Sequence, residues 1–65
     1  MKKVHIIKDK THGYYFNDSR NGKGFHGHIT VAYRFNTLRE IKAEVRNEPQ
    51  IFRDKLLKII SYYTG

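Results

Sequence analysis

The sequence predicts an α+β fold, a three-stranded antiparallel sheet backed by one or two C-terminal helices in the order β-β-β-α-α. Three observations predict it. Residues 25–35 alternate between a largely apolar and a largely polar face, an Asn21-Gly22 pair separates two strand-like runs, and a Thr37-x-x-Glu40 helix start precedes apolar residues at helical spacing.

The first strand is read over Lys3–Lys8, where Val4, Ile6 and Ile7 supply the apolar character. It ends in the polar Asp9-Lys10-Thr11-His12 stretch and Gly13. Tyr14, Tyr15 and Phe16 open the second strand, which runs to Asn17 and turns through Asp18–Gly24. Within that turn Asn21 and Gly22 both tolerate positive φ, the requirement of a tight hairpin. The third strand, Phe25 to Phe35, places Phe25, Ile29, Val31, Tyr33 and Phe35 on one face. His26, His28, Thr30 and Arg34 fall on the other.

Two helices cover the apolar face. Thr37 as N-cap and Glu40 three residues later form a capping box, and Leu38, Ile41 and Val45 share a side of the helix they open. Pro49 suits the first turn of a second helix capped by Asn47. Phe52, Leu56, Ile59, Ile60 and Tyr63 then repeat with helical spacing, and Leu57 widens the stripe.

Sixty-five residues make one domain, 1–65, with a thin core. The chain has no cysteine, so it has neither disulfides nor thiolate metal sites. No apolar run approaches a membrane span, and Lys2-Lys3 leads into no signal-peptide core, which points to a cytoplasmic protein. Thirteen Lys and Arg oppose six Asp and Glu for a net charge of +7, with a pI near 9.9. Residues 1–36 hold seven basic residues against two acidic ones, and all four histidines, whereas residues 37–65 hold six against four. This asymmetry suggests a polyanion-facing half and a structural half.

No catalytic constellation is visible. There is no cysteine nucleophile and no phosphate loop of P-loop spacing. His28-x-Thr30 is similar to one of the two His-x-Thr motifs of 2H phosphodiesterases, whose chemistry needs both, one His as acid and one as base. The single copy argues against an enzyme unless a homodimer supplies the second. His26 and His28, with His5 or His12, have the types for a zinc site but no acidic second shell. No metal or other cofactor is therefore assigned.

Duplex DNA is the partner that the polar face of the third strand suits. His26, His28, Thr30 and Arg34 present donors, a methyl and a guanidinium at regular intervals. Arg20 and Lys23 at the hairpin and Lys8 and Lys10 at the first turn add cations. Tyr62 and Tyr63 mark a second surface, for a dimer or a protein partner. The rival reading is a small phage-encoded inhibitor anchored to a host protein through those tyrosines. RNA binding through exposed tyrosines is third.

Gly13-Tyr14-Tyr15, then Asp18, Arg20, Gly22-Lys23 and Phe25, resembles the N-terminal arm-binding domain of lambda-type phage integrases. Phe35-x-Thr37-x-x-Glu40-Ile41 is similar to the helix entry of related arm-binding domains. The resemblance covers residues 4–46. It implies a three-stranded sheet inserted in the major groove, a phage or mobile-element origin, and Tyr15, Asn17, Arg20, Lys23, His26 and His28 on or beside the DNA-facing sheet. The turn between the second and third strands is one residue shorter than in that family, the third strand is longer, and no recombinase core follows.

Overall fold

A run of four buried residues, Val4–Ile7, sets the architecture. A strand that buries consecutive side chains buries both faces, which requires neighbours on each side and cover above and below. The computed structural model, which describes residues 1–65, supplies the neighbours with a four-stranded antiparallel sheet of order β3-β2-β1-β4. The strands are β1 (Lys2–Asp9), β2 (Gly13–Asp18), β3 (Gly22–His26) and β4 (Leu57–Thr64). Helix α1 (Leu38–Asn47) and the single-turn α2 (Pro49–Phe52) lie between β3 and β4 in the chain. The fold is α+β with an antiparallel sheet, but it is not β-β-β-α-α.

The largest correction is β4. Residues 57–64 are a strand paired with β1 over its whole length, from Lys2↔Thr64 to Asp9↔Leu57. Their apolar residues fit helical spacing, yet Ile59, Ile60, Tyr62, Tyr63 and Thr64 are all strand formers. The demand of β1 for a second neighbour decides between the two. α2 stops after Phe52, and Asp54 adopts φ 60°, the left-handed region that ends a helix and that Asp tolerates better than most residues.

The predicted third strand is also shorter. β3 ends at His26, Gly27 follows, and Ile29–Val31 form one 3-10 turn. Glycine within the alternating run lets the chain leave the sheet there. It returns at Tyr33 and Phe35, which wedge between β1 and β2 where those strands diverge. Tyr33 N–H donates to the Tyr15 carbonyl at 2.9 Å, and His5 and Phe35 exchange backbone bonds of 2.9 and 2.8 Å. Phe35 is thereby buried, while Ile29, Val31 and Tyr33 remain exposed.

The core lies between the sheet and α1–α2, built from Ile7, Tyr15, Phe35, Ile41 and Phe52 with Phe25, Val45 and Ile51 at its margin. Tyr15 packs 4.8 Å from the Phe52 ring and 5.8 Å from that of Phe25. α1 begins at the expected N-cap: Thr37 Oγ1 accepts the Glu40 amide at 3.2 Å, while Glu40 accepts the amide of Asn36, one residue before the cap, at 3.1 Å. Leu38, expected in its apolar stripe, is exposed. Pro49 occupies the first turn of α2, but the residue preceding that turn is Glu48, and Asn47 closes α1 instead of capping α2.

Two turns depend on glycine. Gly13, the first residue of β2, has φ 90°, and a Cβ there would lie 2.3 Å from the His26 carbonyl oxygen. Gly22, after Asn21, has φ 79° in open space.

Candidate nucleic-acid interface

Cross-strand register lines up one residue from each strand. His26 pairs with Tyr14, Tyr14 with Lys8, and Lys8 with Lys58. Paired residues of a pleated sheet project to the same face, and Tyr15, beside Tyr14, points into the core. The rank His26–Tyr14–Lys8–Lys58 therefore stands on the face turned away from α1. Four strands at about 4.8 Å spacing make it roughly 14 Å wide. The Lys8 ammonium sits 5.4 Å from the Tyr14 ring centroid. Lys10 and Lys55 join Lys8 and Lys58 around a shallow cleft floored by Leu56 and Leu57. Lys55 leans toward Phe25, its ammonium 5.6 Å from that ring.

One buried carboxylate holds the two lysine-bearing segments together. Asp9 Oδ1 accepts the Leu56 amide at 2.6 Å. Its Oδ2 accepts the amides of Thr11 and His12 at 3.1 and 2.7 Å and the His12 ring Nδ1 at 2.6 Å. An ionised carboxylate only accepts, so His12 Nδ1 carries the proton. Burial alone would raise the Asp9 pKa; the bonds from the His12 side chain and from the His12, Leu56 and Thr11 amides outweigh it and hold the carboxyl well below the usual range. The Asp9-Lys10-Thr11-His12 stretch is thus a closed turn with a fixed charge inside and lysines outside.

Four of the five remaining acids are likewise engaged; Asp54 alone makes no side-chain hydrogen bond or ion pair. Asp18 accepts the Arg20 amide and the Asn21 side chain in its own turn. Glu40 serves the start of α1. Glu44 accepts the Tyr15 hydroxyl at 2.5 Å and Asn17 Nδ2 at 3.3 Å. Burial, then the bond to Glu44 and its charge, push the Tyr15 pKa far above the ordinary phenol value. Glu48 binds Lys23 at 2.7 Å, which raises the lysine pKa. Of the thirteen Lys and Arg, only Lys23 lies within 4 Å of a carboxylate.

These contacts sort the residues expected at a DNA surface. Lys8 and His26 stand in the rank, and Lys10 borders it. His28 stacks on His26 with ring centroids 5.2 Å apart. Arg34 lines an open cleft with His26, Phe16 and Asn17, while Arg20 and Thr30 are exposed on turns. Tyr15, in contrast, is fully buried on the helix side. Asn17 and Lys23 bond the acids of α1 and its end, so these three do not share the face of Lys8. His26, His28, Thr30 and Arg34 do not form one strand face, because the strand breaks at Gly27. Tyr62 and Tyr63 project to opposite faces of β4, Tyr62 beside Val4 and Tyr63 beside Lys3.

Sequence reasoning missed Lys58 and Tyr14 as members of the rank. Tyr14 was legible from the alternation of β2 around the buried Tyr15. Lys58 becomes visible only when residues 57–64 are read as a strand, in which Lys58, Ile60 and Tyr62 share a face. No group of three or more His, Asp or Glu side chains converges as a metal site. No helix is long and apolar enough to cross a membrane. The chain matches no protein family model, no curated protein and no solved structure.

Proposed function

We propose that this chain is a non-catalytic, basic binding protein whose partner is double-stranded DNA, gripped at its phosphates by the sheet face that carries Lys8 and Lys58. The observation that carries the reading is that pair. Two lysines directly opposed across a ladder repel, at a cost of roughly 0.2–1 kcal/mol, and neither ammonium has a carboxylate within 4 Å. A phosphate between them relieves the repulsion. Lys10 beside them, and His26 and Arg34 further along the sheet, extend the contact across the width of a groove-facing surface. The likeness to integrase arm-binding domains favours the same partner and a phage or mobile-element origin.

Fluorescence anisotropy on a mixed-sequence duplex, across a salt series, tests it. Binding should be submicromolar at low salt, and replacing both Lys8 and Lys58 by Ala should flatten the log–log salt slope by about 1.8, two phosphate contacts at about 0.9 each. Lys23→Ala, which loses an internal ion pair, should leave the slope unchanged. Equal slopes for the wild type and the Lys8/Lys58 double variant would remove this face from consideration.

A further inference from the structure

The two edges of the sheet are built differently. β3 is five residues long and carries Gly22, Lys23 and Gly24, all features that discourage pairing with another strand. β4 is eight residues long, has no proline, and bears one charge, Lys58. Its free side can be read from the bonding pattern. Lys10 N–H donates to the Leu56 carbonyl, so the even-numbered residues of β4 direct their backbone groups toward β1. His5, an odd-numbered residue of β1, accordingly bonds away from β4, to Phe35. The backbone N–H and C=O groups of Leu57, Ile59, Ser61 and Tyr63 therefore face outward. Three of those residues also expose apolar side chains: Leu57 is 38% exposed, Ile59 45% and Tyr63 64%.

We propose that a second copy of this chain joins here, β4 to β4 and antiparallel, with Ser61 on the two-fold axis. That register satisfies the outward backbone groups in hydrogen-bonded pairs. It sets Ile59 against the Tyr63 of the other copy on the helix side and Ile60 against its Tyr62 on the opposite side, each pair occurring twice. Lys58 meets Thr64, so no like charges are opposed along the ladder. Shifting the axis to Ile60 sets Ile59 against Ser61 and loses apolar matches. Size argues for a copy of the same chain as the occupant. Only nine of 65 residues are buried, and domains this small usually depend on disulfides, a metal or association. The chain has no cysteine and no converging metal ligands, so of these three aids association is the one open to it. Pairing would create one continuous eight-stranded sheet.

Sedimentation equilibrium of the full chain without nucleic acid, at moderate salt to screen its charge, reads this separately from duplex binding. The expected mass is 15.6 kDa, twice 7.8 kDa. Ile59→Lys places a charge on the free edge and should raise the dimer dissociation constant at least about tenfold, with an unchanged circular dichroism spectrum. Ser61→Cys supplies a single thiol on the axis, where paired Cα atoms about 5.5 Å apart permit a disulfide. It should oxidise to a covalent dimer much faster than Asn21→Cys, in the β2–β3 turn. If Ile59→Lys fails to fold, the two cysteine variants decide. A wild type that stays monomeric at high concentration, or equal oxidation of the two thiols, overturns the proposal and leaves this edge to a strand of another protein.

Discussion

The amide of Leu56 donates to the carboxylate of Asp9 at 2.6 Å across 47 positions of sequence. This bond fastens the start of β4 to the end of β1, and Asp9 supplies it while also closing its own turn through Thr11 and His12. A single side chain therefore sets the turn, the entry to the last strand and the spacing of the lysines around it.

Asp9→Ala should accordingly lower the melting temperature by at least about 5 °C, and weaken duplex binding beyond what the lost stability explains. Asp9→Asn keeps one acceptor oxygen and should fall between. Thermal melts followed by anisotropy at a temperature where all variants are folded check both statements.

The depressed pKa of Asp9 fixes the sign of the acid response. A carboxyl that stays ionised in the folded state below its unfolded value contributes stability above about pH 4 and loses it as pH falls further, toward the folded value. Urea midpoints should be flat from pH 7 to about pH 4 and drop below it. In Asp9→Ala that acid-side drop should be much shallower.

Tyr15 and Glu44 give the opposite limb. The phenol is protonated in the folded protein at pH values where an unfolded tyrosine ionises, so the stability it contributes declines as pH rises beyond about 10. Tyr15→Phe should cost about 1–2 kcal/mol at neutral pH, because Glu44 loses its shortest bond. It should also blunt the alkaline decline in urea midpoint.

The two positive-φ glycines separate conformation from contact. Gly22→Ala meets only the backbone penalty of its positive φ, about 1 kcal/mol. Gly13→Ala adds a collision with the His26 carbonyl and should cost more, about 2–3 kcal/mol, with loss of the β2–β3 pairing nearby. Chemical denaturation of the two variants side by side gives the difference.

Local chemistry was readable in the sequence wherever it was decided locally. The β2–β3 turn with positive φ at Gly22 (though not at Asn21), the Thr37–Glu40 helix start and Pro49 in the first turn of α2 each depend on neighbours a few positions away. β4 was not readable, because Ile59, Ile60 and Tyr63 fit either periodicity and the choice rests with β1, more than fifty residues earlier. The alternation of residues 25–35 likewise held for Phe25 and Phe35, which reach the core, while the stretch between them leaves the sheet at Gly27. At the site, His26 followed from its own strand, and Lys8 was expected as a cation of the first turn. Lys58 did not, since its place beside Lys8 exists only through the pairing of β1 with β4.

That pairing also governs when the protein can fold. β1 is made before the other strands, yet its partner along the whole of its length is the stretch from Leu57 to Thr64. During synthesis Val4, Ile6 and Ile7 must wait, uncovered on one side, while some fifty intervening residues are added. Loop closure over that distance is entropically slow. Closing the β1–β4 ladder is therefore the most non-local step of folding, whereas the β1–β2 and β2–β3 ladders close over short turns.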